Sequence, residues 1–102
     1  MSNKTKMQIF HAIKRAEERY GSKFSRNDIY EICKKIRNNN TISVGKDGRI
    51  TNTRSFHIVE YLGKRYNVIY DRERQTLSTF LPEEVDTLEK ILRYRYDKRE
   101  IL

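Results

Sequence analysis

Apolar side chains recur at helical spacing near the start of the chain. Ile9, Phe10, Ile13, Ala16 and Tyr20 fall on one side of a helix that stops at Gly21, a residue suited to a helix C-terminus. The same period returns in Ile29, Ile32, Cys33 and Ile36, with Ser25 or Asn27 able to cap a second helix and Asn38-Asn39-Asn40 to end it. From Thr41 the pattern changes to short β-branched and aromatic runs. TISV, SFHIVEYL, RYNVIYD and TLSTFL are separated by Lys46-Asp47-Gly48, Gly63-Lys64 and a charged turn, which predicts antiparallel strands joined by hairpins. Pro82, Glu83 and Glu84 then open a last helix, with the stripe Val85, Leu88, Ile91 and Leu92 and the tail RYRYDKREIL behind it. The expected fold is α+β, with two N-terminal helices packed on an antiparallel β-sheet of about four strands and a C-terminal helix.

A two-residue turn at Gly63-Lys64 would set Tyr61 opposite Tyr66, Val59 opposite Val68 and His57 opposite Tyr70. With Tyr70 opposite Leu77, regular alternation puts Phe56, Ile58, Leu62, Ile69 and Phe80 on one face, which reads as core. The other face would carry His57, Val59, Tyr61, Tyr66, Val68, Tyr70, Leu77, Thr79 and Leu81. Its hydroxyls and imidazole make it the expected working surface, partly covered by one helix.

A length of 102 residues fits one domain, divided into a helix-helix-sheet core over 7–82 and a C-terminal helix and tail over 83–102. No apolar run approaches the ~20 residues of a membrane span, and the first residues lack a secretory core, so a cytoplasmic protein with no membrane partner is expected. Two histidines 46 residues apart and one cysteine, Cys33, exclude a metal centre by any familiar ligand spacing, and no cofactor is expected. Cys33 reads as a small buried apolar residue. The net charge of +8 points towards a polyanion. Residues 1–40 carry ten bases and four acids, residues 41–82 seven and four, and residues 83–102 five and six, so the excess belongs to the first four-fifths of the chain.

On the first helix His11, Arg15 and Arg19 lie four residues apart, along a shoulder that borders the apolar side. Such a row can hold a phosphate, with His11 moving a proton near neutral pH, or it can pair with local acids such as Glu18. HAIKRAEERYG, FSRNDIYEICKKI, TRSFHIVEYLGKRYNVIYD and TLSTFLP, in that order over about residues 7–82, resemble short phage- or plasmid-borne proteins similar to the barnase and RelE-like bacterial RNA-cleaving toxins. The resemblance implies a metal-independent endoribonuclease in which His11, Arg15, Arg54 and Thr79 surround the reacting phosphate. It further implies that Tyr66 or Tyr70 stacks a base or donates a hydrogen bond to RNA, while the chemistry of metal-free cleavage adds Arg19 as a source of charge and His57 as a second candidate for the proton work at the RNA. The bases LRYRYDKR, with Arg93 and Arg95 between Tyr94 and Tyr96, offer a weaker stacking pattern. Two other readings stand beside cleavage: a non-catalytic phage-type factor gripping nucleic acid or a host or antitoxin protein, and a homodimer through the C-terminal helix.

Overall fold

The computed structural model describes residues 3–43 and 49–98. The expected Lys46-Asp47-Gly48 turn and the end of the tail lie outside the described residues. Helix α1 (Asn3–Tyr20) is followed by α2 (Arg26–Arg37), a two-residue strand β1 (Ile42–Ser43), and three full strands, β2 (Arg54–Tyr61), β3 (Lys64–Asp71) and β4 (Thr76–Phe80). Helix α3 (Leu88–Lys98) closes the sequence of elements. The sheet runs β1-β2-β3-β4 and every neighbouring pair is antiparallel. The α+β class holds, and the sheet consists of three strands with a minimal fourth at one edge.

Ser25 is the cap of α2. Its hydroxyl accepts the Asp28 amide while the Asp28 carboxylate accepts the Ser25 amide, so two otherwise orphaned donors are satisfied reciprocally. The second Asp28 oxygen takes the Tyr61 hydroxyl at 2.6 Å, which ties the start of α2 to the end of β2.

The hairpin between β2 and β3 turns on Leu62-Gly63 rather than Gly63-Lys64. Both residues have positive φ, 50° and 79°, the combination that matches the natural twist of a two-residue hairpin. Tyr61 therefore faces Lys64, and Val59 faces Tyr66. The correction leaves each side chain on its expected face, because partners two residues apart share a face. Leu62 is the exception: placed in the turn, it is 80% exposed and is not a core residue.

The division of β4 between the faces differs for another reason. Tyr70 does face Leu77, but the register slips so that Ile69 faces Thr79 and Val68 faces Phe80, leaving Ser78 as the extra residue of a bulge. One inserted residue exchanges the faces of everything after it. Phe80 joins Val59, Tyr66, Val68, Tyr70 and Leu77 against Ile9, Ala12, Ala16 and Tyr20 of α1 and Ile29, Ile32 and Ile36 of α2. Leu81 joins Phe56 and Ile69 on the opposite side, under Val85 and Ile91. Both faces are thus buried, and the expected working surface is the principal core.

Helix α3 begins at Leu88, five residues later than the acidic pair suggested. Pro82 to Val85 form a single turn closed by the Val85 amide on the Pro82 carbonyl, and the Asn67 side chain holds the Glu83 carbonyl at 3.0 Å. The Thr87 hydroxyl then accepts the Lys90 amide and caps the helix.

Where β3 and β4 separate, the Tyr20 hydroxyl is inserted between them. It accepts the Asn67 amide at 3.1 Å and donates to the Leu81 carbonyl. Burial pushes its pKa up to about 12, against the Asn67 amide, so it stays a neutral donor. Tyr20→Phe strands both backbone groups in the core and is expected to cost about 1–3 kcal/mol in a denaturant titration, with the ring packing retained.

Candidate nucleic-acid interface

One member of the ladder on α1, Arg19, serves the edge of the sheet. β4 is the outermost strand on its side, and its outward carbonyls face α1. Gln8 Nε2 donates to the Leu77 carbonyl at 3.2 Å, and Arg19 Nη1 to the Phe80 carbonyl at 2.7 Å. Arg19 is therefore a backbone partner of β4. Arg15, between them, pairs with Glu18 at 2.9 Å, and His11 is half-buried on the same ridge.

The remaining sequence-selected residues are dispersed. Thr79 has no exposed surface, and by facing Ile69 it belongs to the side of the sheet under α3, whereas α1 lies over the other side. His57 is buried between the Thr41 hydroxyl at its Nδ1 (3.1 Å) and the Ser55 hydroxyl at its Nε2 (2.9 Å). Burial, reinforced by the charge of Arg72, pushes its pKa down to about 4, so it is neutral at physiological pH. Tyr66 is a core residue whose hydroxyl meets Ser22 Oγ at 2.8 Å, with Tyr20, Phe24 and Phe80 around its ring. Tyr70 is equally buried. Neither ring retains an open face for a base.

Arg54 is engaged at one end of the sheet. Asp71, fully buried, receives Arg54 Nη1 and Arg74 Nη1 at 3.1 Å and Gln8 Nε2 at 3.2 Å on one oxygen, and the amides of Glu73 and Arg74 at 3.0 Å on the other. Burial alone would raise its pKa. The Arg74 amide, Gln8, the Arg74 guanidinium and the charge of Arg54 outweigh burial and hold the carboxyl below its ordinary value. The carboxylate thereby folds the β3–β4 turn and holds the Arg74 guanidinium beside it.

Arg74 enters a cleft of about 350 Å³ between α1, α2 and the start of β4. Thr5 and Ile9 form the α1 wall, and Gln75 and Thr76 the wall beside Arg74. The α2 wall carries Arg26, Tyr30, Cys33 and Arg37, one ridge at helical spacing. Three arginines and no acid line this cleft. Two other clefts carry both signs, Lys64 and Arg65 with Glu83 and Asp86 in one and Lys35 with Glu60 in the other. The Arg37 guanidinium lies over the Tyr30 ring, 5.7 Å from its centre. Cys33 is buried at the cleft wall, and burial pushes its thiol up to about 11, so it remains unionised and inert.

Arg26, Tyr30 and Arg37 were accessible to sequence reading through their spacing on an exposed helix face, although the apolar stripe dominates that segment. Arg74 was not, because its direction depends on a buried carboxylate three residues before it. Among the described residues no three His, Cys, Asp or Glu side chains gather as metal ligands, and no helix is long and apolar enough to cross a membrane. Comparison with protein-family models, with curated proteins and with solved structures gives no match to this chain.

Proposed function

We propose that this protein is a small basic RNA-binding domain whose binding site is the cleft of Arg26, Arg37 and Arg74, and that it grips RNA without cutting it. The observation that carries this reading is the lining of the cleft: three arginines and no acidic residue line it, Arg74 being held from the interior by Asp71. Guanidinium groups give paired, charge-assisted hydrogen bonds to phosphate oxygens, and a net charge of +8 adds long-range attraction to a polyanion. RNA is favoured over other polyanions by the motif resemblance to RNA-cleaving proteins.

Cleavage without a metal needs a base, an acid and fixed positive charge within reach of one phosphate. Here His57 is buried and neutral, Thr79 lies under α3, and Arg54 is bound to Asp71. That dispersion supports binding over catalysis.

Anisotropy titrations of a labelled RNA across a salt series test the reading. Affinity is expected to fall linearly on a log-log plot against salt, and Arg26→Ala and Arg37→Ala are each expected to lower the slope by about 1. Arg65→Ala, in a cleft that also holds acids, serves as the control. RNA incubated with the protein in EDTA should stay intact. Binding indifferent to salt would refute the phosphate site, and cleavage lost in Arg15→Ala would restore the nuclease reading.

A further inference from the structure

We propose that the cleft receives one unpaired nucleotide of a single strand, its base laid against Tyr30 and its phosphates against Arg26 and Arg74. This inference rests on the RNA-binding reading above and names the form of RNA the site selects.

Tyr30 and Phe10 are the exposed aromatic side chains among the residues whose burial is described, and of the two only Tyr30 lines the arginine cleft. Tyr20, Phe24, Tyr61, Tyr66 and Phe80 form a continuous set of ring contacts inside the molecule. Tyr30 makes no ring contact of that kind among the described residues and is 55% exposed. It is held instead by Arg37, whose guanidinium sits over its ring in the same cleft. An exposed aromatic flanked one turn before by Arg26 and two turns after by Arg37 reproduces what single-strand sites combine, a stacking surface with cations that follow the backbone.

Size narrows the ligand further. A volume of about 350 Å³ lies at the small end of ligand sites, enough for one base and its sugar-phosphate but not for the width of a double helix. A duplex keeps its bases stacked inside and offers a protein mainly phosphates and groove edges. Only an unpaired base can present a free π-face to Tyr30. Arg74 has the rigidity such a site needs, since Asp71 fixes its guanidinium from behind and Arg54 and Gln8 fix Asp71.

The test compares a labelled eight-nucleotide RNA with the same strand annealed to its complement, using the full chain and its Tyr30→Ala and Tyr30→Phe variants. The single strand is expected to bind at least about tenfold more tightly than the duplex. Tyr30→Ala should weaken single-strand binding about 5- to 100-fold and duplex binding by clearly less, while Tyr30→Phe, which keeps the ring, should retain single-strand binding. Because Tyr30 is exposed, the variants are expected to keep the thermal unfolding of the parent. Equal affinity for both forms, or an Ala variant that binds the single strand as well as the parent, would overturn the inference and leave the salt-dependent RNA reading standing. Failure to bind either form would overturn both. Capture of polyglutamate in place of RNA would also overturn both and assign the arginines to an acidic peptide.

Discussion

Asp71→Ala is expected to remove about 3–5 kcal/mol of stability, the cost of leaving buried charges without their partner. That is a large share of the roughly 5–15 kcal/mol available to a domain of this size. The carboxylate has no exposed surface and receives two guanidinium groups, one amide side chain and two backbone amides. The backbone bonds shape the turn into β4, and the side-chain bonds join α1, β2 and that turn at one point. Without the carboxylate, Arg54 and Arg74 face each other at short range, and the turn loses its two amide bonds. Asp71→Asn separates the contributions, since the amide oxygen can still accept from the turn while the charge is gone. A denaturant titration of both variants checks the expectation, which fails if Asp71→Ala unfolds at the parental midpoint. The acid dependence has a defined sign. A carboxyl whose folded pKa is lowered contributes stability above its unfolded value, about 3.9, and the contribution is lost as pH falls through the folded value.

His57 governs a different pH window. Its folded pKa is about 4 and its unfolded value about 6.5, so between these limits the unfolded chain takes up a proton that the folded chain refuses. Stability is therefore full above about pH 6.5 and declines as pH falls towards 4, by about 3 kcal/mol over the interval. The physical cause is burial next to two hydroxyls, with Arg72 opposing a second positive charge. Unfolding midpoints recorded at intervals from pH 7 to pH 4 should show this slope, and His57→Gln should flatten it. Asp28 and Asp71, both with lowered values, begin to contribute below about pH 5, so the His57 slope is read between pH 6.5 and 5 and from its loss in His57→Gln. A parental midpoint unchanged between pH 6.5 and 4 would contradict the burial argument.

Much of the fold follows from local pattern. The apolar period of α1 and α2, the Ser25 cap and the alternation of β2 and β3 are properties of short segments, and the structure reproduces them except at Phe10, which is 63% exposed and lies outside the α1 core stripe that Ala12 joins instead. Two features depended on information outside the segment. The bulge at Ser78 has no glycine to announce it, yet it reverses the faces of Thr79, Phe80 and Leu81, so a residue chosen for catalysis lies under α3 and a large aromatic joins the principal core. The Leu62-Gly63 turn sets a leucine at positive φ, which its side chain disfavours. The Tyr61–Phe24 ring contact and the Tyr61–Asp28 hydrogen bond hold the adjoining end of β2 in place. The site was less legible than the fold. A row of His11, Arg15 and Arg19 has the same appearance whether it faces a phosphate or the carbonyls of a strand, and the choice between them depends on which strand is outermost.

The contact between α1 and β4 also bears on the outer edge of the sheet. A free outer strand is a template for growth, since any extended peptide can add to its unpaired groups. On this molecule Gln8 and Arg19 occupy carbonyls along that border. With those carbonyls occupied, an added strand would have to displace α1 side chains before it could pair there.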